Sequence, residues 1–211
     1  MILPQSFYEV DTVTVAKNLL GRYLVHLEGN GTTSGRIIET EAYPRDDPAA
    51  HSFHGRTASN SVLFGPAGYT HVFFVYGKHW CMNVVTGRGA GGEAVLIRAL
   101  EPVEGIPVMQ KRRGLKDPRL LCSGPGRLTQ ALAITGEYNG LPLNSGPLQI
   151  WSPDSPSGMA ISPEQEIVET TRVGITKAKE LLYRFYLKGN PYVSQGTERM
   201  SLKTPVMSKK F

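Results

Sequence analysis

The sequence predicts an α+β fold: a single mixed domain spanning residues 1–211, with a largely antiparallel sheet, a protruding β-hairpin and surrounding helices. Three observations carry that expectation. β-branched and aromatic runs separated by turn residues fill the first half of the chain, most clearly residues 69–76 and 80–85 around Gly77-Lys78. Helix caps and proline starts stand at the beginning and in the second half. No repeat or linker divides the 211 residues, and 40% hydrophobic with 19% charged content suits a buried core rather than a disordered chain.

Taken in order, Asp11 caps a helix running to about Leu20, with Gly21 as its stop. Residues 22–28 alternate as a strand, and Gly29-Asn30-Gly31 turns them into a second strand over 36–41. Residues 44–60 form a long polar loop, a feature uncommon inside compact domains and often functional. The 69–76 and 80–85 hairpin follows, then a Gly-rich turn over 87–92 and a strand over 94–100. Pro107 opens a helix through Arg113, Ser123-Gly124-Pro125 caps another to about Ile134, and Ser162-Pro163 begins a third reaching Thr171. The sheet is thus expected in the first half. From Asn190 the chain has little apolar content, and fraying is expected from about residue 196.

Lys+Arg 23 against Asp+Glu 18 gives a net charge of +5, a bias toward anionic partners with nucleic acid first among them. Cys81 and Cys122 have no metal-like spacing, which excludes a disulfide framework and points to a reduced compartment. The first six residues lack a basic segment followed by an apolar run, and no stretch reaches membrane-span length. A cytoplasmic protein without signal peptide is expected.

Chemistry concentrates in Glu39-Thr40-Glu41-Ala42-Tyr43, followed by His51 in the loop. On a strand Glu39 and Glu41 share a face with Ile37, an arrangement unlike ordinary core or ordinary surface. Carboxylates beside aromatics at a strand mouth suit general base work or stabilisation of a developing cation; a solvated strand end is the plain alternative. Arg98 is a cation inside an apolar strand and needs a partner, with Glu39, Glu41 and Glu101 the nearest acids by topology. Such a pairing would hold a glutamate ionised and oriented. Asn83, polar within an apolar strand, is either a structural hydrogen-bonder or a reader of a substrate edge.

The hairpin tip joins Tyr76 to Lys78 and His79, an aromatic wedge for unstacking bases in the minor groove with two cations beside it for phosphates. Tyr76 covering a core edge is the alternative. Tyr43 and Phe73 are rings able to sandwich a flipped base, and Phe73 is equally a core residue by pattern. Lys111, Arg112, Arg113, Lys116 and Arg119, and the basic residues of 177–188, are solvated faces unless the hairpin makes them a phosphate track. Ser123-Gly124-Pro125 serves as an anion-binding helix start or a plain cap. Asp46, Asp47, His51 and His54 share a loop without a metal-binding pair on a fixed element, so neither metal nor cofactor is expected.

Residues 36–43, Ala49-Ala50-His51-Ser52, Tyr76-Gly77 with Cys81-Met82-Asn83, residues 96–102, residues 121–125 and Arg172-Val173-Gly174 occur in order. Together they resemble the alkyladenine (3-methyladenine) DNA glycosylase family over residues 19–194, in a bacterial-type member. The resemblance implies that Glu41 is the general base activating water, with Arg98 and the Val173 backbone positioning that water. It implies that Tyr43, His51 and Phe73 line the base pocket, that Asn83 crowds the 2-amino group of guanine, and that Tyr76 is the wedge. Phe73 stands where mammalian members have tyrosine, and Lys78 where they have methionine.

The expected activity is therefore that of a monofunctional DNA glycosylase. It would flip alkylated or deaminated purines from duplex DNA through the minor groove, hydrolyse the N-glycosidic bond and initiate base excision repair, as a monomer. No lysine at the matched pocket positions suits a Schiff base, so an abasic product with an intact strand is expected. The rivals are a non-catalytic minor-groove binder, needing Tyr76 but not Glu41, and a nucleoside hydrolase, needing the pocket but not the wedge.

Overall fold

Eight strands and three α-helices are present among the described residues, which in the computed structural model are 1–29, 31–75, 77–89, 91–153, 161–162 and 164–194. The strands are β1 (Tyr23–Glu28), β2 (Gly31–Tyr43), β3 (Thr70–Val75), β4 (His79–Thr86), β5 (Glu93–Glu104), β6 (Leu148–Trp151), β7 (Ile167–Thr170) and β8 (Arg184–Leu187). They form one sheet in the order β3-β4-β5-β2-β1-β6, with β8 added to β2 and β7 to β8. Each of these pairings is antiparallel. The α+β architecture expected from the sequence is present, with the β3–β4 hairpin at one end of the sheet.

The central strand β2 changes neighbours along its length. Its first part pairs with β1 and its second, from Glu39 to Glu41, with β8, while β5 runs along its other side. Register shifts against β5 fall between Ile37 and Glu39 and between Glu39 and Thr40. This irregularity interrupts the alternation that would put Ile37 on the face of the two acids, and Ile37 and Ile38 both enter the apolar core. In this stretch, paired on both sides, Glu39 and Glu41 are both fully buried.

Helix α1 (Thr12–Leu19) starts at Asp11, whose Oδ2 accepts from the Thr14 N–H at 2.8 Å, and Gly21 beyond its end has φ 82°. It lies on the sheet, where Thr40 Oγ1 donates to the Ala16 carbonyl at 2.9 Å. Helix α2 (Ile106–Arg113) carries Pro107 in its first turn, as expected. Helix α3 (Pro125–Ala131) departs from expectation at both ends. Its N-cap is Gly124 without a side-chain cap, because Ser123 Oγ instead accepts from Arg127 Nη1 at 3.0 Å. It stops at Ala131, and Ala133 turns left-handed with φ 53°.

The third helix expected from 162 to 171 is not formed by its described residues. Residues 167–170 are strand β7, where three of four side chains are β-branched and pairing with β8 takes up the backbone groups. The sheet is consequently not confined to the first half. Pairing by four-residue strands from distant sequence builds its other side. No described helix is long and apolar enough to cross a membrane.

Candidate active site

The pleat of β2 to β5 sorts side chains onto two faces. Val72 of β3, Met82 and Val84 of β4, Val95 and Ile97 of β5 and Ala42 of β2 join the apolar core. The alternate residues, Phe73 and Val75, Cys81 and Asn83, Leu96 and Arg98, and Tyr43, line a cavity of about 530 Å³. Loop residues 48–52 and 173–177 supply much of the remaining wall, together with His79 of β4 and Pro125 of α3. The loop after β2 is held in place by Asn60, whose Nδ2 donates to the His51 carbonyl at 2.9 Å and to that of Gly55 at 3.0 Å. Ser52 Oγ ties it to the Gly92 carbonyl at 2.5 Å.

Glu41 lies behind this wall with no exposed surface. Its Oε1 accepts from the Val173 N–H at 2.8 Å and forms an ion pair with Arg98 Nη1 at 3.1 Å; its Oε2 accepts from the Tyr43 hydroxyl at 2.9 Å. Each oxygen of an ionised carboxylate has about two acceptor sites, so the Tyr43 hydrogen bond leaves one on Oε2 for a water. These three partners all belong to residues that line the cavity. Burial, then the Glu41 charge and its hydrogen bond, push the Tyr43 phenol well above its ordinary value, so it acts only as a donor. Burial pulls the Arg98 guanidinium down, but Glu41 and Glu39 outweigh it and hold Arg98 above its ordinary value.

Glu39 is equally buried but differently used. It accepts from Arg98 Nε at 3.0 Å, Arg184 Nε at 2.7 Å, Ser194 N–H at 2.6 Å and Ser194 Oγ at 2.8 Å. The face pattern alone left the two acids alike, the resemblance singled out Glu41, and their donors differ in the structure.

The aromatic wall gathers around Phe73. The His51 ring meets it edge-on, with centroids 4.6 Å apart at 83°, and His71 stacks on it at 5.0 Å and 16°. Tyr43 stands across the sheet, three strands away from Phe73, with the cavity between. His51 keeps an open edge to solvent, yet burial by the protein around it lowers its imidazole. Burial lowers His71 further, to about 4, aided by His51 and opposed by a hydrogen bond to the Ser59 backbone. Asn83, opposite His71 across the hairpin, places Nδ2 3.4 Å from His71 Nδ1, and its buried Oδ1 has no hydrogen-bond partner among the described residues.

The fold thus brings together Glu41, Arg98, Val173, Tyr43, His51, Phe73 and Asn83. Tyr76 lies outside the described residues. Lys78 is exposed in the hairpin turn, its N–H bonded to the Val75 carbonyl at 3.0 Å. His79 is instead half-buried on the cavity wall, so close to Gly126 of α3 that a Cβ there would come within 2.4 Å of its ring. Much of the anticipated basic track is already paired: Arg112 with Glu28, Arg119 with Asp117, Lys188 with Glu166 and Arg184 with Glu39. Lys177 does reach the cavity lining, at its exposed rim, with Nζ 5.7 Å from the Phe53 ring centre.

Two contributions escaped sequence reasoning. Asp47, considered there only as a loop acid, forms a fully buried pair with Arg172, through Oδ2 with Nη1 and through Oδ1 with Nη2 at 3.0 Å. The same guanidinium donates to the Ala42 carbonyl at 3.0 Å and stacks 4.6 Å from the Tyr43 ring centre, joining the loop after β2 to the segment that carries Val173. His71 is the other. Its signal was a lone polar residue in an apolar strand, the same signal that singled out Asn83.

Comparison with known proteins bears on this constellation directly. Residues 6–191 match the family model described as Methylpurine-DNA glycosylase. Proteins named "Putative 3-methyladenine DNA glycosylase" are similar along nearly the whole chain. That of Methanoculleus marisnigri is 61% identical over 195 residues, covering 92% of this chain and 100% of its own. That of Carboxydothermus hydrogenoformans is 49% identical over 195 residues, again 92% and 100%. That of Nitrosospira multiformis is 45% identical, over 92% of this chain and 95% of its own. With a buried glutamate–arginine pair behind an aromatic cavity and a match spanning most of its length, the chain belongs to the methylpurine-DNA glycosylase family.

Proposed function

We propose that this protein is a monofunctional glycosylase that flips alkylated or deaminated purines out of duplex DNA and hydrolyses their N-glycosidic bond. The observation that carries this reading is Glu41, a carboxylate without exposed surface that takes hydrogen bonds from Val173 and Tyr43 and pairs with Arg98 at the back of a base-sized cavity. In this mechanism the damaged base enters between Tyr43 and the His51–Phe73 wall, where aromatic faces accept any purine by stacking. Asn83 Oδ1 then receives an N–H from the base edge, since an unpaired buried acceptor is costly. Tyr76 fills the gap in the duplex, and Lys78 and Lys177 attract the flanking phosphates.

As the C1′–N bond lengthens, its electron pair leaves with the base, and the sugar gains positive charge that Glu41 stabilises. Water bound at the free site of Oε2 attacks C1′ and gives its proton to Glu41. A cationic alkylated base departs neutral without a donor, and a neutral base such as hypoxanthine departs as its anion and takes a proton from solvent water. Lys177 sits exposed at the rim rather than in a hydrophobic pocket of the kind that holds a Schiff-base lysine, so the strand stays intact and base excision repair begins from an abasic site. The protein acts as a monomer in the minor groove.

A duplex carrying hypoxanthine or ethenoadenine tests this. Wild type should release the base without cutting the strand before alkali, and Glu41→Gln should lower release by about 10²–10⁴-fold. Undiminished release by Glu41→Gln would sink the base assignment, and a complex trapped by borohydride but lost in Lys177→Ala would sink the monofunctional one. Absence of release by wild type, with tight binding that Tyr76→Ala weakens, would favour a non-catalytic groove binder.

A further inference from the structure

We infer that Glu39, seated by Ser194 and Arg184, is a positioning residue that sets how Arg98 addresses Glu41. This rests on Glu41 being the base. A guanidinium is a rigid planar fork, so fixing two of its nitrogens fixes the third. Arg98 Nε donates to Glu39 Oε1 at 3.0 Å and Nη2 to Ser194 Oγ at 3.3 Å, which leaves Nη1 to form the ion pair with Glu41 Oε1, 3.1 Å away. Without Glu39 the fork could swing about its long side chain.

Glu39 is itself held by four donors, Arg98, Arg184 and the Ser194 hydroxyl on Oε1 and the Ser194 N–H on Oε2. Charge balances as well: Glu39 and Glu41 face Arg98 and Arg184, all with side chains at most 7% exposed. Arg184 neutralises Glu39 from β8, so the Arg98 charge is not wholly drawn away from Glu41. Ser194 completes the arrangement with one hydroxyl that donates to Glu39 and accepts from Arg98, while its backbone N–H takes Oε2. It lies beyond the 6–191 family match, so the end of the described chain closes the back of the site.

A double-mutant cycle on the excision rate tests the inference. Glu39→Gln and Ser194→Ala are each placed in wild-type and Arg98→Lys backgrounds, and single-turnover release of hypoxanthine is measured beside duplex affinity and melting temperature. With Arg98 intact, Glu39→Gln should slow release by about 10- to 100-fold and leave affinity within about twofold, the loss of one charge-assisted hydrogen bond read in the rate. In the Arg98→Lys background the same change should cost less than about twofold, because the group through which it acts is gone. Equal slowing in both backgrounds, or slowing that tracks affinity, overturns the inference. Should Glu39→Gln not fold, Ser194→Ala decides by the same comparison. A Glu41→Gln control at wild-type rate overturns the base reading itself, an outcome separate from failure of the cycle.

Discussion

One face of strands β2 to β5 buries Ala42, Val95, Ile97, Met82 and Val84 beneath the helices. The opposite face buries Glu39, Glu41 and Arg98, and beside it lie Arg184 and the Asp47–Arg172 pair. Both sides exclude water, by different physics. The first gains free energy from apolar area, and each side chain contributes by its volume. The second must match every charge it takes from water, and it does so with three carboxylates against three guanidiniums. Buried ion pairs are poor sources of stability because desolvation offsets attraction. Their concentration on the cavity side therefore follows from the chemistry there rather than from folding.

The largest effect expected from this contrast lies in the Asp47–Arg172 pair. Arg172→Met should destabilise the protein by about 3–5 kcal/mol, since it leaves Asp47 buried without its partner. Replacing both, as Asp47→Leu with Arg172→Met, should restore most of that stability in urea unfolding. Excision should stay slow in the double variant, because Arg172 packs on Tyr43 and adjoins Val173, whose N–H serves Glu41. On the apolar face two truncations would simply accumulate. A double variant no more stable than the single one would erase the distinction between the faces.

The apolar face was also the more legible in sequence. β-branched and aromatic runs over 69–76 and 80–85 and the apolar run over 94–100 located β3, β4 and β5, and Asp11 located α1, because these signals are local. Within the site, Glu41, Arg98 and Asn83 were visible as polar residues out of place in apolar strands, a pattern any burial argument detects. Strands β6, β7 and β8 were not, since four residues carry little periodicity; β6 and β8 pair with chain more than a hundred residues away, and β7 pairs with β8. Arg184 and Ser194 were hidden for the same reason. Nothing near them in sequence says that Glu39 lies opposite.

A second, smaller effect distinguishes the faces by pH. His71 sits among the cavity-side aromatics with its imidazole lowered to about 4 from 6.5, mainly by burial. Because the folded value lies below the unfolded one, the unfolded chain binds more protons between them. The associated stability is complete above pH 6.5 and is lost as pH falls toward about 4, to a total of roughly 3 kcal/mol. His71→Phe should flatten the stability profile across that window while retaining the ring on Phe73. An unchanged slope from urea midpoints measured between pH 7 and pH 4 would count against a neutral, buried His71.

The smallest effect asks whether the two faces are separable at all. Ile97 is fully buried in the apolar core, and its chain neighbours Leu96 and Arg98 line the cavity on the other side. Ile97→Val removes one methylene and should cost about 1 kcal/mol in unfolding free energy. Its backbone remains paired on β5, so the direction of the Arg98 side chain should not change. Excision should then stay within about twofold of wild type. If so small a change beneath the sheet slowed base release tenfold or more, packing below would be setting the geometry above, and the charged face would owe its precision to the core rather than to Glu39 and Ser194.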